Sequence, residues 1–196
     1  NVLKTKGAIH YLTSEEIEKD KEYLFSISSK LRDKNIISLI IGGPTQYYDY
    51  SDRNIQEIFS KVNYLVKENN LNLVVIPSMR TPKGTIEHAK IYFGNDHLVL
   101  DGVDKKAYLS ALSISKHIVI TCDSSSMISE AALTGKPIYI ATIPPKKNDK
   151  RFKNFRKLFQ EMNIVKELGE KLENWNYEKL DETNRVANII KDKIQL

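Results

Sequence analysis

The sequence predicts an α/β fold, a Rossmann-like, doubly wound parallel sheet of five to six strands with helices on both faces. Three observations carry this expectation. Short apolar runs alternate along the chain with longer segments of helical periodicity. The runs are apolar throughout rather than alternating with polar residues, which suits strands covered on both faces. Loops of unusual chemistry follow three of the runs, at the strand ends where open parallel sheets hold their ligands.

Taken in order, Thr13-Ser14-Glu15-Glu16 is a helix start, a hydroxyl cap followed by acids that complement the dipole. It predicts a helix over 13–31 with Ile17, Leu24 and Ile27 as its apolar stripe. Residues 36–41 read as a buried strand broken by Gly42-Gly43-Pro44-Thr45. A helix over 51–68 follows, apolar at Ile55, Ile58, Phe59, Val62 and Leu65. The second strand, 71–76, is stopped by Pro77, and Thr81-Pro82 opens a helix to about Tyr92 with proline in its first turn. Residues 98–100 form a third strand and 108–114 the next helix. Strands at 117–120 and 137–141 flank a serine cluster and a short helix ending at Gly135. A helix over 151–162, a strand stub at Ile164-Val165 and a last helix over 182–194 complete the chain.

Composition narrows the function classes. At 196 residues and 22.5 kDa the chain suits one domain with a proper core. No apolar run approaches the roughly 20 residues of a membrane helix. The chain begins at Asn1 rather than a methionine and without a signal-like start, and we expect it to be a fragment of a longer protein. A single cysteine, Cys122, excludes an internal disulfide and fits a reducing compartment. We therefore expect a cytoplasmic location, with peripheral membrane association as the second option. His10, His88, His97 and His117 lack metal-ligand spacing, and no metal is expected. The net charge of +5 and pI near 9.1 reflect a basic stretch over 146–157 and lysines scattered on helices. Without interleaved aromatics these read as solvated faces rather than a nucleic-acid surface.

The most informative stretch runs T-C-D-S-S-S-M-I-S-E-A-A-L-T-G-K-P from Thr121 to Pro137. Small hydroxyl residues stand at a helix start, where unpaired N–H groups and the positive end of the dipole attract anions, phosphate above all. Ser124, Ser125, Ser126 and Met127 are the candidate phosphate contacts. Glu130, one to two turns further on, could accept hydrogen bonds from ribose hydroxyls. The loop holding Gly42, Gly43 and Thr45 is either a tight strand exit or a close approach of backbone to phosphate; it matches neither the dinucleotide fingerprint nor the P-loop. Arg80, before a helix, suits bidentate phosphate recognition or caps a neighbouring carbonyl. Lys150, in the basic start of its helix, either faces solvent or reaches the same phosphates. The serines lack a nucleophile-elbow context, and no catalytic residue is assigned.

These segments together resemble a known family. Ile41-Gly42-Gly43-Pro44-Thr45, Ser78-Met79-Arg80-Thr81-Pro82, the Thr121 to Pro137 stretch and Lys150-Arg151-Phe152-Lys153-Asn154-Phe155 resemble the elongated-mitochondria-type mitochondrial fission family of bacterial and plant proteins. Gly7-Ala8-Ile9-His10-Tyr11-Leu12-Thr13 and Leu172-Glu173-Asn174-Trp175 with Leu180-Asp181-Glu182-Thr183 fit the same pattern, in order along nearly the whole chain. The resemblance implies the second domain of a GT-B-like architecture and a nucleotide-diphosphate-sugar as ligand. Ser124, Ser125 and Ser126 would meet the phosphates and Glu130 the ribose, with Arg80 and Lys150 neutralising charge. The partner domain would be amino-terminal to this chain. Bacterial members are often labelled nucleoside-diphosphate-sugar epimerases, yet neither G-x-x-G-x-x-G nor Y-x-x-x-K is present. Plant relatives are implicated in recruiting a dynamin-like protein, so the alternative is an adaptor with a vestigial nucleotide site.

Overall fold

Six parallel strands form one sheet in the computed structural model, which describes residues 2–194. They are β1 (Ile36–Ile41), β2 (Asn72–Pro77), β3 (Leu98–Val99), β4 (His117–Thr121), β5 (Ile138–Ala141) and β6 (Val165–Glu167). The α-helices are α1 (Ser14–Lys19), α2 (Tyr23–Ile27), α3 (Asp52–Glu68), α4 (Lys83–Phe93), α5 (Lys105–Ile114), α6 (Ser125–Ala132), α7 (Lys150–Glu161) and α8 (Glu182–Ile194). The strands lie in the order β3-β2-β1-β4-β5-β6, which reverses direction between β1 and β4. Right-handed crossovers place α3 and α4 on one face and α5, α6 and α7 on the other. β1 and β4 pair in register from Ile37 with His117 to Ile40 with Ile120, so their carboxyl ends open together. That gap is the topological switch point, where doubly wound sheets leave a crevice. Every residue of β1, β4 and β5 is buried, as their predominantly apolar sequences lead one to expect, with Ser38, His117 and Thr121 as the buried polar exceptions.

Most element boundaries fall within a residue or two of expectation. α3 buries all five of its predicted apolar positions, and Gly135 takes the left-handed conformation (φ 74°) just past α6. The expected helix over 13–31 is instead two short helices and a 3₁₀ turn, Ser29–Arg32. The cause is Ser110 of α5. Its hydroxyl accepts the Leu24 N–H at 3.1 Å and donates to the Lys21 carbonyl at 2.8 Å, so it competes for main-chain partners at the junction. Ile17 and Leu24 are buried, but Ile27 is 43% exposed and lies off the stripe. Pro82 stands one position earlier than expected, as the N-cap of α4. Pro77 ends β2 beside Ile41, beyond the two residues that pair with β3, so its missing N–H interrupts no ladder there. α5 begins three residues earlier than expected, because Asp104 accepts the Ala107 N–H as its cap.

The chain's two ends are tied to each other. Glu182, buried at the start of α8, accepts the Lys6 N–H at 2.8 Å and pairs with Arg185. The Thr183 hydroxyl donates to the His10 carbonyl and accepts the His10 N–H. Ser129 of α6 accepts the Ala8 N–H, so the leading segment is held against both helices. It runs on to Tyr11, beside the switch point.

Candidate functional site

At the carboxyl end of β4 the chain turns through Cys122 and Asp123 before α6 begins. Ser124 is the N-cap, its hydroxyl accepting the Met127 N–H at 3.4 Å. Asp123 has a different task. Its carboxylate is fully buried and gathers three loops: Tyr50 donates its hydroxyl at 2.5 Å, Gly43 its N–H at 3.1 Å, and Arg80 a guanidinium N–H at 2.8 Å. Arg80 also donates to the Gly43 carbonyl at 3.0 Å. Burial, and then the adjacent Asp123 charge, push the Tyr50 phenol far above its ordinary range, so it stays a hydrogen donor. The Arg80 side chain is 43% exposed. With two of its five donors held inward, the guanidinium is fixed in place with donors still turned outward.

Outward from Arg80 lies a cleft of about 380 Å³. On one side stand Arg80, Ser124, Ser126 and Met127, the amino end of α6. On the other are Glu130, Tyr108, Lys105 and Tyr11, over an apolar floor of Ile40 and Pro77, with Met79 at the rim. The Ser125 and Ser126 amides, at the positive end of the α6 dipole, find no acceptor among the described residues. Glu130 follows Ser125 by about 7–8 Å of helix rise. Its Oε2 accepts the Tyr108 hydroxyl at 2.6 Å, which leaves Oε1 for a ligand. Burial and the Glu130 carboxylate hold the Tyr108 phenol well above its usual value, so Tyr108 donates here. The cleft thus offers anion-binding groups at one end and a positioned carboxylate acceptor at the other.

The structure brings together five of the residues singled out in the sequence: Arg80, Ser124, Ser126, Met127 and Glu130. Five others lie outside the cleft lining. The Gly42 N–H goes to the Thr121 hydroxyl at 2.8 Å and the Gly43 N–H to Asp123, so these amides are already committed. Both glycines are required by packing. A Cβ on Gly42 would overlap the Asp123 carboxylate, and one on Gly43 would overlap the Arg80 carbonyl. Thr45 stabilises its own turn by accepting the Tyr47 and Tyr48 N–H groups. Ser125 accepts the Ser129 hydroxyl at its carbonyl. Lys150 is exposed at the start of α7. Sequence reasoning missed Tyr108, Lys105 and Tyr11, since nothing local marks a tyrosine whose partner is 22 residues away. Asp123 stands in the serine cluster that drew attention, but nothing local marks its partners Gly43 and Tyr50, 80 and 73 residues away.

A second buried network seals the neighbouring side. Tyr48, fully buried, donates to Asp149 at 2.7 Å and accepts from Arg156 at 2.8 Å, and Arg156 also reaches Asp149 and the Cys122 carbonyl. The β1–α3 and β5–α7 loops are stitched together by a bridge between Tyr48 and Pro145 and by the Lys146 N–H on the Tyr47 carbonyl. Among the described residues no group of three or more His, Cys, Asp or Glu could hold a metal ion, and no helix is long and apolar enough to cross a membrane.

Comparison with known proteins decides the family. The model of the family described as Mitochondrial fission ELM1 matches residues 1–194. The chain belongs to the mitochondrial fission ELM1 family. Among its relatives, the uncharacterized protein RP120 of Rickettsia prowazekii is 30% identical over 171 residues, 83% of this chain and 48% of that one. The mitochondrial fission protein ELM1 of Arabidopsis thaliana is 26% identical, covering 99% of this chain and 46% of its own length. This ELM1-family chain therefore spans about half the length of both relatives. Solved structures of similar fold include S. aureus MnaA with UDP (TM-score 0.55, 19% identity, 86% of this chain and 40% of that one). A second is a putative UDP-N-acetylglucosamine 2-epimerase from Listeria monocytogenes (TM-score 0.52, 14% identity, 96% and 42%). At these identities the likeness is one of fold alone, a GT-B-like one.

Proposed function

We propose that the cleft between β1, β2 and α6 binds a nucleoside diphosphate or its sugar, as the nucleotide-holding half of a GT-B-like, glycosyltransferase-related protein. One observation carries this reading. Ser126 with its free amide at the start of α6, the anchored Arg80 and the carboxylate of Glu130 line one cleft at the switch point. The diphosphate lies against Ser124, Ser126 and Arg80, and the ribose hydroxyls donate to Glu130 Oε1. MnaA, a protein of similar fold, was solved with UDP, which supports the choice of ligand class. No step of catalysis is assigned to these residues.

Isothermal titration with UDP, GDP and CDP tests the proposal. One of them binds in the micromolar to low millimolar range. Glu130→Ala and Ser126→Ala each weaken that binding by roughly tenfold, about the value of one hydrogen bond to a charged group. Silence from all three at millimolar ligand, with the circular dichroism of a folded chain, would falsify it. The adaptor reading has its own observation: Met79, Val103 and Tyr11, at the cleft rim, are 90%, 61% and 66% exposed, more apolar surface than a nucleotide alone covers. It predicts that silence.

A further inference from the structure

The positive charge of the chain is concentrated on a face that the cleft does not use. Residues 146–157 hold seven Lys or Arg against one acid, Asp149, an excess larger than the +5 of the entire chain. That acid is buried against Tyr48 and Arg156. Lys146, Lys147, Lys150, Arg151, Lys153 and Lys157 are all exposed. Lys146, Lys150 and Arg151 make no ion pair among the described residues. Lys153 and Lys157 have only distant partners, at 3.8 and 3.7 Å, and two-thirds or more of each side chain is in solvent. Elsewhere, α3 sets Lys61 against Glu57 and α8 sets Arg185 against Glu182. Like charges crowded on one helix face repel one another, so the patch is unfavourable in the isolated chain and is relieved by an anionic surface.

The shape of the face indicates which anionic surface. The cations run from the β5–α7 loop along α7, about 18 Å for twelve residues at helical rise, on the outer, convex side of a helix. The aromatic rings of α7 turn inward: Phe152 packs edge-on against Tyr47 and Tyr48, and Phe155 stacks on Phe159. No stacking platform for bases remains outside. We infer that this basic face docks the chain on an anionic phospholipid surface. The attraction is electrostatic, without an inserted apolar side chain, and is therefore steeply salt-dependent. The loop half of the patch lies at the same carboxyl edge of the sheet as the cleft, so docking brings that edge to the bilayer.

Vesicle co-sedimentation of the whole 196-residue chain tests this. Vesicles of 30% phosphatidylglycerol in phosphatidylcholine pellet the chain at 0.1 M NaCl and release it at 0.5 M, while pure phosphatidylcholine does not pellet it. Lys150→Gln with Arg151→Gln weakens the binding roughly tenfold. Lys191→Gln with Lys193→Gln, which removes the same charge from α8, changes it less than about twofold. All four positions are exposed, and a thermal melt confirms that both variants fold. Equal losses in the two variants would reduce the effect to net charge and overturn the inference. So would binding that ignores lipid charge, or duplex RNA displacing the vesicles at equal phosphate concentration.

Discussion

At the scale of single residues, Asp123 does more than any other side chain to build the site, because one buried carboxylate fixes Tyr50, Gly43 and Arg80. Replacing it with alanine strands three donors. Asp123→Ala should cost about 3 kcal/mol in urea unfolding, reduced from the full buried-pair value because Arg80 is partly solvated. A loss under about 1 kcal/mol would remove it from that role. Gly43 makes a sharper case. Its backbone is not in the left-handed region, so its demand is steric alone: Gly43→Ala forces a methyl into the Arg80 carbonyl and should cost at least about 2 kcal/mol. His117 supplies the pH dependence. It is buried with both ring nitrogens unpartnered, and burial holds its pKa below the ordinary 6.5. The unfolded chain therefore binds the proton more readily, so stability is complete above about pH 6.5 and falls as pH drops through that value. Urea midpoints from pH 7.5 to 5 should decline less in His117→Gln than in the parent chain.

At the scale of elements, the central strands were legible because burial on both faces leaves them mostly apolar, and α3 was legible because its stripe is regular. The break between α1 and α2 was not, since it depends on a serine 86 residues beyond the amide it accepts. Ser110→Ala leaves the Leu24 N–H and the Lys21 carbonyl without partners in a buried junction and should destabilise by about 1–3 kcal/mol. Ser60→Ala on the exposed face of α3 serves as a control with little effect. The same distinction runs through the site. Ser124 and Ser126 stand at a helix start that announces itself, and they line one cleft with Glu130. The glycine loop looked like a phosphate cradle because close approach demands glycine whatever approaches. Here the approaching groups are Asp123 and Arg80, which no local reading of Gly42-Gly43 could distinguish from a ligand.

For the whole molecule, a ligand that seats between α5, α6 and the β2–α4 loop binds the folded chain alone and must raise its melting temperature. At a hundred times its dissociation constant the stabilisation is about 2.7 kcal/mol, or roughly 5–10 °C for a domain of this size. A thermal shift that is present in the parent chain and reduced in Arg80→Gln would link that effect to this cleft. The stitched loops on the far side have a consequence of their own. Tyr48 and Tyr50 are buried and the Tyr48–Pro145 bridge joins the β1–α3 and β5–α7 loops, while the cleft lies on the side of Tyr11, Lys105 and Tyr108. The two tyrosine networks therefore brace the site from behind without lining it, and a ligand meets only groups that Asp123 and Tyr108 have already set in place.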